Sequence, residues 1–197
     1  MSLRRPAATV LALALVASLA ACGKKHETIV EAETEGIHVD VGGLTYQVQV
    51  SRELNALDVE DQAYLKGRPP EAPPLAPTES WFGVFLRVAN EEDRPARAAE
   101  DFQIHDTTYE EGQPCLPAKG CYEPVQLDVR ENVFAYAPSQ IDPDELYPTT
   151  SSAALQGVVQ GSVLVFRIPY AAYDNRPLEL KLTSPGSDVE GTIVLDL

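Results

Sequence analysis

The chain is poor in the residues that most chemistry needs. In 197 residues it has one methionine, one tryptophan, three cysteines and three histidines, and acidic residues outnumber basic ones 30 to 15. The methionine is residue 1, so a methionine-rich copper site is excluded. His26, His38 and His105 do not cluster in sequence, a site shared by His38 and His105 is not expected, and no metal ligand is assigned. There is no Gly-x-Ser-x-Gly, no glycine-rich phosphate loop and no His-Glu-x-x-His, so no catalytic residue is assigned and no cofactor is expected. A formal charge of −15 repels nucleic acid and anionic lipid headgroups, which removes both as direct partners. Beyond the first 21 residues no apolar run is long enough to cross a bilayer.

What is present at the start is specific. Arg4 and Arg5 form a positive n-region, and Ala7 to Ala17 is an apolar run too short to span a membrane as a stable helix. Leu19-Ala20-Ala21-Cys22 follows and reads as the lipobox of a bacterial lipoprotein. Small residues at 20 and 21 admit a signal peptidase, and the Cys22 thiol is the expected carrier of a diacylglyceryl group. An ordinary secretory signal with a chance cysteine is the plainer alternative. Residues 1–21 are thus expected to be a signal peptide, and losing both arginines takes the charge from −15 to −17. Acyl chains contribute about 0.8 kcal/mol per buried methylene, so two or three chains anchor firmly where the acidic protein surface does not. The sequence therefore predicts a cell-membrane protein, held by lipid on the extracytoplasmic side.

Cys115 and Cys121 remain, enclosing Leu-Pro-Ala-Lys-Gly. Outside the cytoplasm such an isolated pair is expected to form a disulfide, and Pro117 and Gly120 favour the tight turn it needs. A redox pair or a metal clip are the functional alternatives. The former usually has Cys-x-x-Cys spacing, and the latter lacks a second ligand pair here.

The remaining chain reads as a tether over residues 22–35 and one folded domain over 36–197. From Ile37 the apolar period is two: Val39 and Val41, then Leu44, Tyr46, Val48 and Val50. Gly42-Gly43 between them predicts a hairpin that pairs Val41 with Leu44, although a bend between two sheets fits as well. Asp58 to Lys66 is the best helical candidate, with Asp58 as N-cap and Gly67 at C′. Residues 68–80 carry five prolines and predict an extended loop. Strands are expected at Trp81 to Asn90, around Phe102 and Ile104, at Val125 to Arg130, at Ser162 to Ile168, at Leu178 to Leu182 and at Val189 to Leu197. Val133 to Tyr136 is a short apolar segment, and Pro138 to Ala154 is a second long connection. Short alternating strands with little helix predict an all-β, antiparallel immunoglobulin-like sandwich with one short helix and long proline-rich loops; a closed barrel is the competitor.

Two acidic clusters, Glu91-Glu92-Asp93 and Asp142-Pro143-Asp144-Glu145, read as solvated turn charges because neither matches a calcium loop. Trp81, Phe85, Tyr136, Tyr147, Tyr170 and Tyr173 are candidates for an aromatic binding face, although aromatics at strand ends more often belong to the core. Exposed sheet edges would also admit a partner peptide as an added strand.

Several segments resemble a family. Trp81-Phe82-Gly83-Val84-Phe85, Val88-Ala89-Asn90 and Asn132-Val133-Phe134-Ala135-Tyr136 carry the likeness. So do Gln156-Gly157, Leu164-Val165-Phe166 and Asn175-Arg176-Pro177-Leu178-Glu179-Leu180. Over residues 40–183 the chain resembles uncharacterised actinobacterial lipoproteins, which are similar to telokin-like, immunoglobulin-fold secreted antigens. The resemblance implies an extracellular sandwich with no catalytic residues to carry over, and it favours a single-membrane host. Gly23 stands where many double-membraned bacteria place an inner-membrane retention aspartate. The sequence as a whole points to a lipid-anchored binding module whose partner is an envelope protein or a small ligand. A solute- or metal-binding lipoprotein and a carboxylate-based envelope hydrolase are the alternatives.

Overall fold

Gly42 and Gly43 take φ of +63° and +81°, and between them the chain reverses so that Val41 faces Leu44. The expected hairpin therefore lies within one sheet. The computed structural model describes residues 28–196; the expected signal peptide, the expected lipidation site Cys22, His26 and Leu197 lie outside the described residues.

In chain order the strands are β1 (Glu31–Ala32), β2 (His38–Val41), β3 (Leu44–Leu54), β4 (Glu79–Ala89), β5 (Ala96–Arg97) and β6 (Asp101–His105). They continue with β7 (Cys121–Tyr122), β8 (Gln140–Ile141), β9 (Leu146–Tyr147), β10 (Ser162–Pro169), β11 (Leu178–Thr183) and β12 (Glu190–Leu195). One large sheet has the order β1-β12-β11-β6-β7 and the other β10-β4-β3-β2, with β9 also pairing with β4, and β5 and β8 form a separate two-stranded antiparallel ribbon. Pairing is antiparallel except between β1 and β12. The protein is an all-β sandwich.

Alternation dictates the core. Val39, Tyr46, Val48, Phe82 and Leu86 from one sheet meet Phe102, Ile104, Leu180 and Ile193 from the other, all buried. Each such side chain contributes about 1.5–3 kcal/mol on leaving water. Trp81 and Phe85 point the opposite way along β4, yet they are buried too, at 5% and 0% exposure. A second apolar layer covers them, made by Leu54, Tyr64, Leu65, Val163 and Val165 with Val125, Leu127 and Phe134 against its rim. Tyr64 meets both Phe85 and Phe134 edge-on, at 4.9 and 5.1 Å between ring centres.

That layer explains two departures from the sequence reading. Residues Val125 to Arg130 do not form a strand. Val125 and Leu127 alternate because the segment lies across the outer face of β4 and β10 as a cover, held by Val125 N donating to Val165 O and Asp128 N to Gly67 O. Among the described residues there are two short helices, not one: α1 (Val59–Tyr64) and α2 (Ala153–Gln156). Asp58 caps α1 as expected, its carboxylate accepting from Glu60 N and Asp61 N, but the helix stops at Tyr64 before the expected Lys66.

The polar segment expected to be tether up to residue 35 joins the fold. β1 pairs with β12, Thr192 N donates to Val30 O, and Asp40 N of β2 donates to Ile29 O. Glu35 accepts from Ser51 N at 3.1 Å and Asp196 N at 3.1 Å. Its short, charged composition hides the strand because only Ala32 faces the core. The sandwich is thereby bridged along this edge. Along the opposite edge Pro124 bridges to Phe166 and Ala135 to Val163.

Candidate functional site

On its outer face the β6-β11-β12 sheet is polar. Gln103 and His105 of β6 stand opposite Lys181 and Glu179 of β11, and Thr192 and Glu190 of β12 extend the row. The segment 106–121, which carries the disulfide, rises beside it and turns the face into a cleft of about 430 Å³ rimmed by Tyr109, Glu111, Gly112 and Pro177.

The rim is built on Asp106. This residue is buried, and its carboxylate accepts from Thr108 N at 2.8 Å, Thr108 Oγ1 at 2.5 Å, Tyr122 Oη at 3.0 Å and Asn175 Nδ2 at 3.4 Å. Burial opposes the charge, but these donors outweigh it and hold the carboxyl below the ordinary range. The Tyr122 hydroxyl is pushed far up by burial and by the bond to Asp106, and so stays neutral. Cys115 and Cys121 are joined by a disulfide with their Cα atoms 4.9 Å apart, which closes the end of the rim.

Inside the cleft, His105 Nε2 donates to Gln103 Oε1 at 3.0 Å, and its ring lies on Tyr109 with centres 3.9 Å apart. Burial, assisted by the charge of Lys181, lowers the imidazole below its ordinary value and keeps it neutral at pH 7. Gln103 Oε1 also lies 3.4 Å from Cys121 Sγ, a contact and not a donated bond because a disulfide sulfur carries no hydrogen. Lys181 Nζ is 2.8 Å from Glu179 Oε2 and donates to Thr192 Oγ1 at 3.0 Å. Neutral ring, amide, ammonium and carboxylates are thus displayed together in fixed positions. Such a surface can hydrogen-bond a polar ligand and stack against it.

The other sequence candidates separate from this site. His38 is exposed on β2, in the other sheet from His105. Trp81 and Phe85 belong to the second apolar layer, while Tyr136 and Tyr147 pack edge-on with centres 5.5 Å apart against the main core. Tyr173 is half-buried with its hydroxyl 2.8 Å from Ser80 Oγ, and Tyr170 is 48% exposed, so the six aromatics do not form one face. Glu91-Glu92-Asp93 and Asp142 to Glu145 lie in neighbouring turns, linked by Asn90 N donating to Glu145 O. Among the described residues no three metal-ligating side chains converge. Also among them, no helix is long and apolar enough to cross a membrane. The cleft itself was invisible to sequence reasoning because its residues come from three strands whose register only the sheet supplies.

Fold and site together define the class: an all-β sandwich with a polar cleft on one sheet. No protein-family model and no curated protein matches the chain. Among solved structures, a candidate lipoprotein (ycdA) of Bacillus subtilis subsp. subtilis str. 168 is similar to it at 11% identity and a TM-score of 0.45, over 86% of this chain and 39% of that one. The chain thus spans about two fifths of the length of that protein. An uncharacterized β-sandwich protein of Clostridium difficile 630 is similar at 12% identity and a TM-score of 0.41, over 88% of this chain and 99% of that one.

Proposed function

We propose that the protein is a lipid-anchored binding module on the extracytoplasmic face of the membrane, and not an enzyme. The observation that carries the reading is the polar cleft over β6, β11 and β12, walled by a disulfide-closed rim. Its single histidine donates to an amide, a group that cannot relay a proton, and the Glu179 carboxylate is paired with Lys181. The lipobox at Leu19 to Cys22 supports the anchor. The resemblance of residues 40–183 to actinobacterial lipoproteins and telokin-like secreted antigens supports an extracellular setting.

The anchor is tested by fractionation and mass spectrometry of the full chain. Wild type is expected in the membrane fraction with acyl mass on Cys22, and Cys22→Ser is expected to be unprocessed. Wild type recovered without acyl mass would overturn the anchor. Binding is tested by cell-surface crosslinking followed by detergent solubilisation, where wild type is expected to retain an envelope partner that Lys181→Glu loses. Blank crosslinks for both would count against a protein partner. A solute-binding lipoprotein is the second reading, favoured by a cleft volume in the range of small-molecule sites. A thermal-shift panel of sugars and divalent cations separates the two, since a protein-binding module shows no stabilisation in it.

A further inference from the structure

We infer that the domain stands end-on above the bilayer, with the turns at 42–43, 90–95 and 184–189 toward the headgroups and the end of the disulfide-closed rim turned outward to envelope partners. The inference rests on the lipid-anchored reading of Cys22.

Chain length sets the first bound. The described fold begins at Thr28, six residues after Cys22. An extended chain spans at most ~3.5 Å per residue, so the domain starts within about 20 Å of the lipid-bearing sulfur. Topology sets the end. Thr28 and Val30 line one depression with Gly42, Glu92, Arg94 and Ser187, so the chain emerges among the turns of a single end. The strands then run away from it. β4 alone has 11 residues, about 36 Å at the usual rise, and the 170–174 turn lies beyond its far terminus, where Tyr170 N donates to Thr78 O.

Charge sets the stand-off. Among the described residues of the turns 90–95, 142–145 and 184–189, Arg94 is the one cation against Glu91, Glu92, Asp93, Asp142, Asp144, Glu145 and Asp188. An anionic bilayer attracts Lys24 and Lys25 of the leash beside the lipid and repels the acidic turns beyond them over a screening length of about 8 Å at physiological salt. Repulsion and leash therefore hold the near end roughly 8–20 Å above the headgroups. The membrane itself is kept off the cleft's outer rim, and what reaches that rim comes from the envelope side.

The test uses the full lipidated chain in phosphatidylglycerol–phosphatidylcholine vesicles that carry a headgroup energy acceptor. A donor dye is placed at the near end through Asp188→Cys or at the far end through Asp174→Cys, both at exposed positions. Transfer from 188 is expected to exceed transfer from 174 by about threefold or more, given one strand length between them. A flexible insert of about twenty residues between Glu27 and Thr28 is expected to erase the difference. Equal transfer from the two positions, in protein that floats with the vesicles, overturns the orientation and leaves the anchor standing. Wild type that fails to float overturns the anchor and the orientation with it.

Discussion

Asp106 and Tyr122 meet at 3.0 Å and so join the residue that opens the disulfide-bearing segment to the residue that follows its second cysteine. The pair is the base of the cleft rim. Asp106→Ala leaves the buried Tyr122 hydroxyl and Thr108 amide without their acceptor and is expected to cost about 3 kcal/mol in urea unfolding, with Tyr122→Phe costing about 1. Equal small effects of both would show that the rim does not depend on the carboxylate.

Gly120 tests the same seat from its other side. It has φ of +76°, and a Cβ there would meet the Asp106 carboxylate and lie 2.5 Å from Thr108 Oγ1. Gly120→Ala is expected to destabilise the protein by about 2 kcal/mol or more, and amide exchange should rise across 106–121 before it rises in β3 and β4.

Acid should weaken the fold in a defined order. His105 has a folded pKa below its ordinary value of about 6.5, while Asp106 and Asp61 lie below an ordinary carboxylate value of about 3.9. A depressed pKa means that the unfolded chain takes up the proton more readily, so each group's contribution is complete above its unfolded pKa and is lost as pH falls through its folded one. Urea midpoints are therefore expected to start falling just below pH 6.5 and to fall again below about 4. Glu35 works in the opposite sense, because burial raises its pKa despite the bonds from Ser51 and Asp196. Asp106→Asn should flatten the lower limb; an unchanged limb would remove Asp106 from this account.

Arg52 and Asp61 form the cover's main ionic tie. Asp61 is buried and accepts from both guanidinium nitrogens, at 3.1 and 2.5 Å, and from Asn55 N at 2.7 Å. Removing Arg52 strands the buried Asp61 carboxylate and is expected to cost about 2–3 kcal/mol, whereas the guanidinium, one third exposed, returns to water in Asp61→Ala; a double-mutant cycle is expected to return a coupling of about 1 kcal/mol. A coupling near zero would reduce the pair to a surface contact.

Opening the Cys115–Cys121 loop by a double serine variant is expected to cost about 2 kcal/mol on the loop-entropy account. The core strands should keep their exchange protection, because only the short β7 follows directly from the loop. Global loss of protection would make the disulfide a condition of folding instead.

The long strands were legible because one face of each meets the core: Val41 against Leu44, Phe102 and Ile104, Leu178 to Leu182. The two-residue strands β1, β5, β7, β8 and β9 are too short to show a period. Val125 to Arg130 alternates like a strand because a cover lying along a sheet obeys the same in-out rule as the sheet beneath. Of the site, the disulfide followed from spacing and compartment. The partnership of His105, Gln103 and Lys181 did not, since these residues are brought together by the antiparallel register of β6 and β11.

The way the chain enters the sandwich also decides how it bears a pull. Ile29 N donates to Asp40 Oδ2, Asp40 N donates to Ile29 O, and Thr192 N donates to Val30 O, so the first strand is stitched to both sheets at once. Tension applied at Thr28 runs along β1, across those bonds and not in line with them. They are loaded together, as a sheared seam, and not opened one after another like a peeled strip. A domain tugged from its far end while fixed at its near end thus loads this seam in shear.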